Sequence, residues 1–84
     1  MMRDLSRQLG WFAGQMAKKL RENDHKGSWE GIDNNHLTHR LNQEFVELTE
    51  AITKGTPDEI IAEAADVANF ALMIADNANR KGHL

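Results

Sequence analysis

The stretch from residue 57 to residue 79, PDEIIAEAADVANFALMIADNAN, decides the fold. Ala62, Ala64, Ala65, Ala68, Ala71 and Ala75 are interleaved with Ile60, Val67 and Ile74. At about 100° per residue, these residues spread over a wide apolar arc. Such an arc predicts a central helix that is covered on more than one side. The many alanines keep its surface smooth, so neighbouring helices can approach closely. Its start is written in Thr56-Pro57-Asp58-Glu59. Thr56 reads as the N-cap, Pro57 as the first helical residue, and Glu59 completes a capping box. Two residues break the apolar pattern. Glu63 falls inside the stripe through Ile60, Ala64, Val67, Ala71 and Ile74, and Asp66 lies at its edge. A carboxylate facing a core is costly unless it is paired or binds a metal.

The segment from about residue 36 to residue 54 makes the same exception. Its apolar stripe runs through Leu37, Leu41, Leu48 and Ile52. Glu44 lies in the middle of that stripe and Glu47 at its margin. Residues three apart share a helix face, so each helix presents an acidic pair. Two packed helices with the same departure predict one shared site, holding Glu44, Glu47, Glu63 and Asp66. The competing structural reading is an ion pair between Arg40 and Glu44, one turn apart. Asp33, Asn34 or Asn35 can cap this helix, and Lys54-Gly55 carries the glycine favoured at a helix end. Glu50 points away from the stripe and reads as a solvated charge. His36 and His39 are off the stripe, and without cysteine a zinc site there is not expected.

Upstream, residues 4–23 read as a helix with Leu5, Leu9, Phe12, Met16 and Leu20 on one face. Asp4 or Ser6 can serve its start, and Lys18, Lys19 and Arg21 suit its C-terminal dipole. Trp11 lies off this stripe and reads as a packed edge or an oligomer contact. Residues 24–35 lack periodicity and read as a loop. Yet this loop contains His25, Lys26 and Trp29. Lys26 has the chemistry to contact phosphate and Trp29 to stack on a base. The alternative is that Trp29 plugs the end of the bundle while His25 and Lys26 are solvated.

The 84 residues make a single small all-α domain. A chain of this length buries only about 60–65% of its unfolded surface. It contains no cysteine, so oligomerisation is the remaining common support. The lack of cysteine also fits a reducing, cytoplasmic setting. No apolar run approaches the roughly 20 residues of a membrane span. A net charge of −3, from 13 acidic against 10 basic residues, argues against a nucleic-acid surface. It suits a cation, and through the cation an anionic substrate.

Glu44-x-x-Glu47 followed by Glu63-x-x-Asp66, the second pair inside Glu-Ala-Ala-Asp-Val-Ala-Asn-Phe, resembles the signature of the MazG-like all-α nucleoside triphosphate pyrophosphohydrolases. The resemblance covers roughly residues 25–77. It implies a helical bundle that forms a homodimer or a dimer of dimers. It implies that Glu44, Glu47, Glu63 and Asp66 hold Mg²⁺, with Mn²⁺ as an alternative. The reaction it implies is cleavage of a nucleoside triphosphate to the monophosphate and pyrophosphate. The residues suit Mg²⁺, a hard cation that takes oxygen ligands. Glu47 could instead act as general base, a choice the sequence leaves open. Lys26, Trp29 and Asn69 are candidate substrate contacts. Two other readings remain: a non-catalytic helical dimer, and a related phosphoribosyl-nucleotide pyrophosphatase.

Overall fold

Thr56 starts the central helix much as its sequence predicts. The Glu59 backbone N–H donates to the Thr56 hydroxyl at 3.2 Å. The return bond differs from the usual capping box, in which the N3 side chain reaches the N-cap backbone N–H. Here the Thr56 hydroxyl donates to the Glu59 carboxylate at 3.3 Å. The structure is a computed structural model that describes residues 3–23 and 28–81. Its elements are α1 (Ser6–Glu22), α2 (Asn34–Lys54) and α3 (Pro57–Lys81). The fold is the expected all-α bundle of three helices. α2 starts two residues earlier than the sequence suggests, because Asp33 caps it by accepting from the Asn35 N–H at 2.9 Å. α1 starts two residues later. Asp4 accepts from the Ser6 N–H at 2.9 Å, an Asx-type turn that precedes the helix.

α3 packs against both α1 and α2, while α1 and α2 do not pack on each other among the described residues. α3 is therefore the floor of a cleft whose walls are the other two helices. This arrangement shifts the buried registers away from the stripes drawn above. In α2 the buried line is Leu37, Glu44 and Ala51, with Glu44 at its centre. Leu41 and Leu48 are half-buried, and Ile52 is exposed. In α3 the most buried residues are Ala65, Asn69 and Asn77. Asn69 faces α1, where it donates to the Met16 carbonyl, and Asn77 faces the turn that precedes α2.

The exposed apolar surface falls mainly on the outer helices. The alanine-rich α3 is largely covered, and only Leu72 is exposed among its large apolar side chains. The exposed ones sit mainly at the outer helices: Leu5, Leu9 and Trp11 at α1, and Phe45, Val46 and Ile52 on α2. α1 has no buried residue. Its C-terminal half touches α3 and its N-terminal half overhangs. The radius of gyration is 14.3 Å, against about 12 Å expected for a compact chain of this length.

Gly55 joins α2 to α3 for a reason other than a left-handed cap. Its backbone is extended, with φ −97° and ψ 177°. What the site lacks is room: a Cβ there would lie 2.8 Å from the Ala51 carbonyl oxygen, which already accepts the Gly55 N–H. Gly55→Ala is expected to cost about 1–3 kcal/mol, read as a lower thermal midpoint. An unchanged midpoint would show that the hairpin shifts freely.

Candidate active site

Glu44 from α2 and Glu63 and Asp66 from α3 meet at one end of the cleft. One carboxylate oxygen from each lies within 4.8 Å of the others. The i,i+3 spacing within α3 points Glu63 and Asp66 the same way. The close α2–α3 contact, permitted by small residues such as Ala51 and Ala65, brings Glu44 across to them. Glu47 is exposed one turn further along α2, lines the cleft and lies close enough to Glu44 and Glu63 to disfavour their charges.

The cluster is electrostatically strained. Burial first, then the Glu47 hydrogen bond and the charges of Glu47, Asp66 and Glu63, push Glu44 up from 4.5 to about 7. Burial, with Asp66 and Glu47 adding and Lys19 opposing, raises Glu63. Burial also raises Asp66, although the Lys19 ammonium works against it. The expected Arg40–Glu44 ion pair is present at 3.5 Å. Arg40 is half-exposed and stacks over Phe70 at 5.3 Å, so its charge is largely solvated and does not relieve Glu44. Lys19 of α1 bridges Glu22 at 3.7 Å and Asp66 at 3.6 Å. Glu63 Oε2 is buried with no hydrogen-bond partner. Converging hard oxygen donors with an orphaned buried carboxylate oxygen are what a divalent cation would satisfy. The residues present fit such an ion.

The cleft, with Glu44, Glu47 and Asp66 in its lining, encloses about 420 Å³. Its lining passes from Lys19 and Arg40, through Asn69, Phe70 and Leu37, to Met73, Ile32, Ser28 and Trp29. Trp29 is half-buried, and its indole N–H donates to Asp76 at 3.0 Å. It therefore closes that end of the bundle and also forms a wall of the cleft. Asn69, a candidate substrate contact, is buried against α1. It is 3% exposed and donates to the Met16 carbonyl at 3.0 Å, leaving its own oxygen unpartnered. His25 and Lys26 lie outside the described residues. His36 and His39 are exposed and belong to no metal-ligating group among the described residues.

Sequence reasoning did not single out three contributors. Lys19 was read as a helix-dipole partner, and only the crossing of α1 over α3 brings it to Asp66. Asn77 and Arg80 fasten the turn that carries Trp29. The available signal for Asn77 was its position eight residues after Asn69, on the same buried line of α3.

An all-helical cleft with clustered carboxylates at one end and an aromatic wall at the other is compatible with the MazG-like class of nucleotide pyrophosphohydrolases that the sequence resembles. Residues 12–79 match the family described as Phosphoribosyl-ATP pyrophosphohydrolase, and the chain belongs to that family of hydrolases acting on nucleotide pyrophosphate bonds. No curated protein and no solved structure matches the chain.

Proposed function

We propose that the protein hydrolyses the bond between the α- and β-phosphates of a nucleoside triphosphate, with Mg²⁺ as cofactor and Mn²⁺ as a substitute. Water adds to one phosphorus and the anhydride bond breaks, giving a nucleoside monophosphate and pyrophosphate. The observation that carries this reading is the convergence of Glu44, Glu63 and Asp66 at one end of a cleft lined with aromatics. Glu44, Glu63 and Asp66 would hold the cation. When bound, it would neutralise phosphate charge and polarise the reacting phosphorus. Glu47 is exposed at the cleft edge, where its carboxylate can take the proton of the attacking water. Lys19 and Arg40 offer the phosphates two cations beside the acids. Asp76, the partner of Trp29, lies ten residues beyond Asp66 on α3, about 15 Å along the axis. That separation suits phosphates at one end and a base against Trp29 at the other. The Asn69 oxygen offers an acceptor between them.

The family match favours a second substrate, phosphoribosyl-ATP, through the same bond cleavage. Both substrates would present the same anhydride bond to the acids, and the extra ribosyl phosphate is what distinguishes them. The deciding experiment is a panel of ribo- and deoxyribonucleoside triphosphates and phosphoribosyl-ATP, with and without Mg²⁺, reading pyrophosphate release. Orthophosphate release, or no release from any of them, overturns the proposal.

The same reading includes a homodimer or a dimer of dimers. Leu9 at 67% exposed, Ile52 at 60% and Phe45 at 56% give the outer helices an apolar surface of the kind an interface covers. Light scattering at micromolar concentration is expected to give at least twice the mass of one chain. A stable monomer would count against it.

A further inference from the structure

The turn between α1 and α2 is held to the end of α3 by three side chains that the hydrolytic reading leaves without a role. Asp76 accepts from the Trp29 indole N–H at 3.0 Å and pairs with Arg80 at 3.0 Å. Asn77, 5% exposed, presents its amide N–H₂ to the carbonyls of Trp29 and Ile32 at 3.4 and 3.3 Å and to the Asn34 side chain at 3.3 Å. Arg80 donates to the Asn77 oxygen at 2.6 Å and reaches Glu30 at 3.3 Å.

We propose that Asp76, Asn77 and Arg80 form a latch that positions Trp29 as the base-side wall of the cleft, so that base recognition passes through the Trp29 ring. The proposal rests on the reading of the cleft as a triphosphate site. Residues 28–33 have no regular secondary structure of their own beyond a turn closed by the Ile32 N–H on the Trp29 carbonyl. Without outside support, the indole could adopt several rotamers. A half-buried indole N–H requires an acceptor, and Asp76 supplies one whose position Arg80 fixes. Asn77 pins the backbone on either side of the ring's own turn. None of the three belongs to the acidic trio. The latch is therefore a set of positioning residues that is separable from phosphate and metal binding.

The test uses a Trp11→Phe background, which leaves Trp29 as the one indole of the chain's two. Asp76→Ala is expected to raise KM for the triphosphate by about 10- to 100-fold, the range of lost base stacking. It should leave kcat within about threefold. Inhibition by inorganic tripolyphosphate, which carries phosphates and no base, should not change. Trp29 emission should shift to the red as the ring loosens. Asp76→Asn keeps an oxygen for the indole N–H and should retain most of the affinity. The double variant Asp76→Ala with Trp29→Phe should bind no worse than Trp29→Phe alone. An unchanged emission, additive losses in the double variant, or a parallel loss of tripolyphosphate inhibition would overturn the latch. If the unmodified protein hydrolyses no triphosphate, the hydrolytic reading fails, and the Trp29 emission of Asp76→Ala alone decides the latch.

Discussion

Glu63→Gln is expected to lower pyrophosphate release by on the order of 100-fold or more, since even outer partners of a metal site cost 10- to 100-fold when removed. Glutamine keeps the size of the side chain and removes its charge. Without metal, the variant should be at least as stable as the parent. Glu63 Oε2 is buried without a partner, and burial and two neighbouring acids already disfavour its charge. None of the ion pairs found among the described residues includes Glu63; the nearest cation, Lys19, is directed at Asp66. An amide at position 63 therefore removes repulsion and strands no cation. Were Glu63 half of a structural ion pair, the same change would cost about 3–5 kcal/mol. Thermal midpoints without metal and turnover with Mg²⁺, measured on both proteins, separate the two. A destabilised variant with normal turnover would sink the metal-site reading.

The second large effect is a pH dependence with opposite signs for stability and metal binding. Glu44 is raised from 4.5 to about 7 in the folded state, so the folded chain holds this proton more tightly than the unfolded one. Its contribution to stability without metal is fully present below about pH 4.5 and is lost as pH rises through about 7. The loss is on the order of 3 kcal/mol. A cation needs the carboxylate ionised, so Mg²⁺ affinity should rise about tenfold per pH unit up to about pH 7 and then level. Calorimetric titrations at several pH values in buffers of different ionisation enthalpy would also register the released proton. Glu44→Gln should flatten the stability slope, which separates this group from the background of other acids. A Mg²⁺ affinity independent of pH between 5 and 7 would refute the assignment.

Much of this protein could be read without coordinates. Local chemistry at Thr56-Pro57-Asp58-Glu59 fixes where α3 begins, because a cap and a proline act within one turn. The alanine-rich arc identifies α3 as the central helix, since only a helix covered on two sides needs so wide an apolar surface. Glu44, Glu63 and Asp66 stood out because a charge in an apolar stripe needs a compensating partner. Helical spacing pairs residues within one helix and cannot say how two helices cross. The tertiary structure alone decided that α1 and α2 stand apart over α3. That separation opens the cleft, turns Asn69 inward and carries Lys19 to Asp66, forty-seven positions away. It also placed Glu47 at the exposed edge of the cleft, beside Glu44 and Glu63. The sequence pointed to Trp29 without giving it a surrounding. That surrounding comes from Asp76, Asn77 and Arg80, which meet the turn only because α3 is long enough to run back beneath it.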